Sequence, residues 1–294
     1  MFRPVFIFKV LILSLVANSI FVLYLLLHNA PKRHFTNQKS DDYRINDYAS
    51  VYANIPLSNT IKIIPMPMVV SMSNTKLYLS NDFTIISNQK SNKDIHSALL
   101  RYSKYISLLT GLSTKITENL TPSQNTLFID CPTIDSKRTK YPELNEDESY
   151  SLNITQTGSY LYTSSLTGII RGLSTFLQLI EHDSSTNKNS IPLINIIDRP
   201  RFTWRGLLLD VSRHWMPLPV IERTLNAMEL SKLNVLHLHL SDDQGFRVES
   251  LQYKLLHDRK DFFTQKEIQY IVEYARQRRI RIVPEFDIPG HTTR

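Results

Sequence analysis

Between Arg201 and Arg294 three apolar runs of strand length each end in a cluster of charged and histidine side chains. The first, Gly206-Leu-Leu-Leu-Asp210-Val-Ser-Arg213-His214, is followed by Asn234-Val-Leu-His237-Leu-His239-Leu-Ser-Asp242-Asp243-Gln-Gly245, and the third reads Ile282-Val-Pro-Glu285-Phe-Asp287-Ile-Pro-Gly-His291. Two stretches of helical periodicity separate them. Ile221, Leu225 and Met228 recur at i, i+4 and i+7 after Pro217 and Pro219, and proline is tolerated at a helix start. Thr264 and Glu267 form a capping box ahead of Ile268, Ile271 and Ala275. Strands near 206–212, 234–241 and 280–287 alternating with helices predict a parallel unit, since parallel neighbours need crossover connections. In such α/β folds, a barrel or a doubly wound sheet, chemistry gathers at the C-terminal strand ends.

The motifs Leu209-Asp210-Val-Ser-Arg213-His214, Leu236-His-Leu-His239-Leu-Ser-Asp242-Asp243-Gln-Gly245 and Pro284-Glu285-Phe-Asp287-Ile-Pro-Gly-His291 together resemble the family 20 glycoside hydrolases, the β-N-acetylhexosaminidases. The three fall in the family's order over about ninety residues. The segment from Glu148-Ser-Tyr-Ser-Leu through Arg171-Gly-Leu-Ser-Thr-Phe also resembles the domain that precedes the family's barrel. The resemblance implies an α/β chain: a smaller α+β domain, then the first part of a (β/α)8 TIM barrel, with about three of its strands present.

The domain organisation expected is a membrane segment at 1–30, a polar stalk at 31–56, an α+β domain at 57–198 and the incomplete barrel at 199–294. Val10 to Leu27 is free of charge and would span about 27 Å as a helix, close to a bilayer core. It is read as an uncleaved signal-anchor, giving a single-pass membrane protein of the secretory pathway with lumenal or extracellular domains. The alternative is a cleaved signal peptide and a lysosomal or secreted protein. Sequons at Asn119 and Asn153 make those asparagines candidate glycosylation sites. The single cysteine, Cys131, excludes an intrachain disulfide framework.

Within 57–198, short β-like runs at 68–72, 83–86, 127–129, 150–154 and 160–163 are interrupted by two helical patterns. Ile95, Leu99, Tyr102, Ile106 and Leu109 stop at Gly111, and Ile170, Leu173, Leu177 and Ile180 follow Thr167. This predicts a mainly antiparallel sheet with helices on one face. The net charge of +7 includes five Lys or Arg and no acid in the first forty residues, leaving +2 over the other 254. That balance gives no basic face for nucleic acid.

By the resemblance, Arg213 holds a terminal N-acetylhexosamine through its fork of donors, while Asp242 and His291 belong to a network supporting the general acid. An alternative for Arg213 is an ion pair with Asp210 or Asp242. His237, His239, Asp243, Glu285 and Asp287 are further candidates; His237 and His239 share one strand face. The activity implied is removal of terminal β-linked GlcNAc or GalNAc by retaining, substrate-assisted hydrolysis, in which the sugar's own acetamido oxygen is the nucleophile. No cofactor or metal is expected, the partner is the terminal N-acetylhexosamine of a glycan or glycoconjugate, and a homodimer is one assembly considered.

The family's acid and acetamido-orienting Asp-Glu pair belongs to a fourth strand end, which these residues do not include. Glu146-Asp147-Glu148 reads as a solvated acidic turn and does not replace it. The chain is therefore expected to be inactive by itself. Two other readings compete: a metal-dependent barrel hydrolase using His237, His239, His291 and an Asp, and a non-catalytic glycan-binding or vestigial membrane protein.

Overall fold

The structure, a computed structural model, describes residues 62–89, 91–118, 123–132 and 141–293. Two compact units divide the chain, Met1–Met66 and Pro67–Arg294. In the first, the described residues 62–66 contain neither helix nor strand.

The second unit begins with β1 (Val69–Leu79), β2 (Phe83–Ser87), α1 (Lys93–Thr110), β3 (Thr114–Thr117) and β4 (Thr126–Asp130). It continues with β5 (Tyr150–Thr155), β6 (Gly158–Tyr162), α2 (Leu166–Leu179), β7 (Glu181–Asp183) and β8 (Lys188–Asp198). These strands form one sheet in the order β1-β8-β5-β6-β4-β2-β3, with β7 beside β8. Pairs from β1 to β6 are antiparallel, but β6-β4, β4-β2 and β2-β3 are parallel. The expected antiparallel sheet is thus a mixed one. The physical reason is the α1 crossover, which returns the chain to run β3 alongside β2 in the same direction.

Helix α1 starts at Asn92, whose side chain accepts from the N–H groups of Asp94 and Ile95, and stops at Gly111 in the left-handed region (φ 72°). Ile95, Ala98, Leu99, Tyr102 and Ile106 form its buried stripe. Helix α2 is capped by Ser165, and twelve of its fourteen residues are buried. Burial on all sides requires cover beyond one sheet face. That cover comes from β5 and β6, from α1, and from a helix of the next sheet.

The second sheet contains β9 (Gly206–Asp210), α3 (Leu218–Leu230), β10 (Val235–Asp242), β11 (Gly245–Phe246), α4 (Gln265–Arg276) and β12 (Arg281–Phe286). β10 is central, with β9 and β12 parallel on either side and β11 antiparallel at its end. Strand and helix positions follow the expected alternation, and Thr264 and Glu267 make both halves of the capping box. Val211, Ile221, Leu225, Met228, Leu236, Leu238, Leu240, Phe263, Ile271 and Ile280 form the core of this sheet and its helices. Each such fully buried side chain contributes about 1.5–3 kcal/mol from leaving water. Among the described residues this sheet is open, with β9 and β12 at its edges.

Charged side chains join the two sheets. Glu148 Oε2 accepts from Arg171 Nε at 2.7 Å and from Arg205 Nη2 at 2.5 Å. Lys232 Nζ donates to Asp198 at 3.0 Å and to the Tyr150 hydroxyl at 2.8 Å. Fully buried Glu229, on α3, holds Arg101 of α1 at 2.6 Å, and Glu146 pairs with Arg279. In the acidic turn at 146–148, Glu148 is therefore buried and Glu146 is ion-paired, while Asp147 stays exposed. Arg171, Arg205 and Arg279, all distant in sequence, fold onto the turn, burying Glu148 and leaving Glu146 half-buried.

The single-pass membrane reading is corrected. Among the described residues no helix is long and apolar enough to cross a membrane, and the single-pass membrane assignment is withdrawn. Val10–Leu27, the polar segment 31–56 and Asn119 lie outside the described residues. Asn153 is exposed on β5, between the buried Leu152 and Ile154.

Candidate active site

Asp210, His239 and Glu285 are register partners across β9, β10 and β12, so the second sheet sets them in one row. Beyond Asp210 the chain turns on its carboxylate: Oδ1 accepts from the N–H groups of Ser212 at 3.0 Å and Arg213 at 2.9 Å. This turn brings the Arg213 side chain back over the strand ends. Its Nη1 donates to Asp210 Oδ2 at 2.7 Å, and its Nη2 lies 2.5 Å from Asp242 Oδ2. The guanidinium remains half-exposed, while Asp242 is buried. Arg213 is thus an ion-pair partner of both Asp210 and Asp242, and still presents a face to solvent.

Strict alternation would put His239 and Asp242 on opposite faces of β10. The register against β12 slips between His239 and Ser241, and such a bulge re-aims side chains. Asp242 Oδ2 consequently meets His239 Nε2 at 3.0 Å. Its Oδ1 accepts from the Asp243 N–H at 2.7 Å and lies 3.3 Å from His291 Nδ1. His291 is held in a left-handed backbone conformation (φ 59°). The loop that carries it is tied to β10 by Thr293, whose N–H and hydroxyl both donate to Asp243 Oδ1, at 3.1 and 2.8 Å.

The row continues across β12. Glu285 Oε2 lies 3.0 Å from His239 Nδ1 and 2.6 Å from His237 Nε2, charge contacts whose angles fall short of a linear hydrogen bond. Asp287 donates its N–H to Ser241 Oγ at 3.1 Å.

These contacts set the charges. Burial opposes ionisation of Asp242, but the Asp243 amide, His239, Arg213 and His291 outweigh it and hold its carboxyl below the usual range. Burial likewise opposes an imidazolium at His239, and Asp242 and Glu285 outweigh it and raise its pKa. Glu285 is lowered chiefly by His239, and Asp210, against its burial, by the backbone and guanidinium of Arg213.

The structure brings together Arg213, Asp242 and His291, and with them His239, Asp243 and Glu285. It does not gather His237, His239 and His291 as ligands of one ion. Among the described residues the donor groups near enough to share a cation are His239 with Glu285 and Asp287, and Asp242 with Asp243 and His291. Asp210 holds Arg213, in the ion pair the sequence offered as an alternative, and Thr293 holds the His291 loop in place, a role sequence reasoning did not give it. The Asp210-Val-Ser-Arg213 spacing carried the signal for Asp210, since an Asp accepts from N–H groups two and three residues ahead. Nothing in the sequence marked Thr293.

Comparison with known proteins follows the same motifs. Residues 202–294 match the family described as glycosyl hydrolase family 20, catalytic domain, and residues 63–179 match the one described as beta-acetyl hexosaminidase like. The chain is similar to beta-hexosaminidase subunit beta of Homo sapiens, 34% identical over 239 residues, covering 78% of this chain and 43% of that protein. It is also similar to beta-hexosaminidase 3 of Arabidopsis thaliana, at 35% identity over 79% of this chain and 46% of the relative. Among solved structures it resembles the chitobiase of Flavobacterium johnsoniae, with TM-score 0.68 and 38% identity over 78% of this chain and 35% of that one. The N-acetyl-beta-hexosaminidase of Streptomyces plicatus, solved with Thio-NAglucal, gives 0.66 at 26% identity over 78% of this chain and 46% of that one. The chain therefore spans less than half the length of these relatives. Neither membrane attachment nor a homodimer gains support from the described residues or the relatives. With two family models and these relatives matching the motifs that build the site, the chain belongs to glycosyl hydrolase family 20.

Proposed function

We propose that this chain forms the sugar-holding part of a β-N-acetylhexosaminidase site, in an α+β domain at 57–198 and the first strands of a (β/α)8 barrel from 199 onward. The complete reaction is release of terminal β-linked GlcNAc or GalNAc by substrate-assisted, retaining hydrolysis. Arg213 grips sugar hydroxyls, and Asp242 and His291 orient the groups that act on the glycosidic bond. The observation that carries this reading is the meeting of Arg213, Asp242 and His291 at the C-terminal ends of parallel strands, with Asp242 in contact with both.

No adjacent Asp-Glu pair stands at a described strand end of the second sheet. The chain alone should therefore bind N-acetylglucosamine without turning over its aryl glycoside, because an absent general acid costs about a hundred- to ten-thousand-fold. Titration of the purified chain with N-acetylglucosamine, beside an aryl N-acetylglucosaminide assay, tests both halves. Arg213→Lys keeps the charge but loses the fork, so binding should weaken about ten- to a thousand-fold. Native affinity in that variant would remove Arg213 from the site, and turnover by the chain alone would refute the division of labour.

A further inference from the structure

His239 and Glu285 complete the row that Asp210 begins. Each nitrogen of the buried His239 ring faces a carboxylate, Asp242 Oδ2 at 3.0 Å on one side and Glu285 Oε2 at 3.0 Å on the other. The oxygen that meets His239 is also the one that holds Arg213 Nη2. Arg213 itself is a poor source of its own order. It has a long side chain, stands on a turn and is half-exposed, and among the described residues its ion pairs are with Asp210 and Asp242. Asp210 holds Nη1, so where Asp242 Oδ2 points decides how Nη2, and with it the plane of the guanidinium, is set.

Asp242 is fixed at one oxygen by the neighbouring Asp243 amide. That contact leaves rotation about the bond carrying the carboxylate, and the second oxygen needs its own anchor. His239 provides it from inside the sheet, because the bulge brings the two residues of β10 onto one side. Two flanking carboxylates favour the imidazolium, whose Nε2–H faces Asp242 and whose Nδ1–H faces Glu285, so the ring cannot turn over without losing both. We propose that His239, oriented by Glu285, is a positioning residue that fixes Asp242 Oδ2 and through it the guanidinium of Arg213. The effect on sugar affinity rests on the proposed glycosidase reading; the ordering of Arg213 does not.

The two are read separately in the ¹⁵N-labelled chain. Restricted rotation of the Arg213 guanidinium, seen as resolved Nη signals, reports positioning, and titration with N-acetylglucosamine reports binding. His239→Phe keeps the ring but removes the donor, and should collapse the Nη signals and weaken the sugar by about tenfold or more. His239→Gln, which restores a donor toward Asp242, should recover most of both. Glu285→Gln should broaden the Arg213 signals while leaving the fold intact. If wild-type chain binds no sugar but its Arg213 signals respond in this way, the glycosidase reading falls and the positioning role stands. Unchanged Arg213 signals in folded His239→Phe overturn the proposal. Should that variant not fold, unchanged signals in Glu285→Gln overturn it equally.

Discussion

Replacing Glu148 by glutamine removes one negative charge from the junction of the two sheets and almost no volume. Glu148 is 7% exposed and Arg171 is 2% exposed, and the same carboxylate oxygen serves Arg171 and Arg205. Burial works against the charge on Glu148, yet the two guanidiniums outweigh it and hold its carboxyl below the usual range. With an amide there, two arginines converge on a neutral oxygen, and the buried Arg171 cannot reach water. Breaking a buried ion pair from one side costs about 3–5 kcal/mol. For a unit of this size each kcal/mol moves Tm by about 2–4 °C, so the midpoint should fall by about 6–20 °C. Urea unfolding of wild type, Glu148→Gln, Arg205→Gln and the double variant would give the coupling energy directly. The pH dependence supplies a check of sign. A carboxyl depressed in the folded state stabilises fully above its unfolded value of about 4.3, and that stability is lost as pH falls through the folded value. The gap between wild type and Glu148→Gln should therefore close on acidification. A loss below about 1 kcal/mol, with negligible coupling to Arg205, would show that the triad does not hold the sheets together.

Two further outcomes follow from particular contacts. A Cβ at Gly172 of α2 would run into the side chain of Leu161 on β6, so Gly172→Ala should cost about 1–3 kcal/mol by overpacking, read by urea midpoint; an unchanged midpoint would mean that α2 can move away from the sheet. His239 has a raised pKa, so its stabilising contacts are complete below the ordinary value of about 6.5 and are lost as pH rises through the raised one. Stability measured against pH should fall over that window in wild type and stay flat in His239→Gln, and equal slopes would place the titration elsewhere.

The second sheet was legible because its signals are local. Apolar runs, prolines at Pro217 and Pro219, and the Thr264–Glu267 box each act within a few residues of chain. Strand direction is not local in this way. Nothing in Phe83–Ile86 or Leu127–Ile129 tells whether neighbours run parallel, and the mixed first sheet was missed for that reason. β8 escaped altogether, because Pro192 interrupts its apolar run and argues against a strand. In the fold Pro192 lies opposite Lys76, beyond the last residue of β8 that pairs with β5, at Ile194. Asp210, Asp242 and His291 could be singled out from their motifs. That His239 would touch Asp242 could not, since it depends on a one-residue slip in register. The burial of Glu148 was equally hidden, as its partners lie 23 and 57 residues away along the chain.

Helix α2 carries a consequence of another kind. Its Ser174 hydroxyl donates to the Glu229 carbonyl and its Gln178 amide to the Leu230 carbonyl, so the last two residues of α3 rest on it. With one flank on β5 and β6 and the other on α3, it belongs to two cores at once. No partial opening that spares either sheet can expose it. Its backbone amides should consequently exchange with deuterium only when the whole unit unfolds, among the slowest of the described residues. A ligand that binds at the strand ends would then slow exchange in a helix it never touches, by the amount it stabilises the folded state.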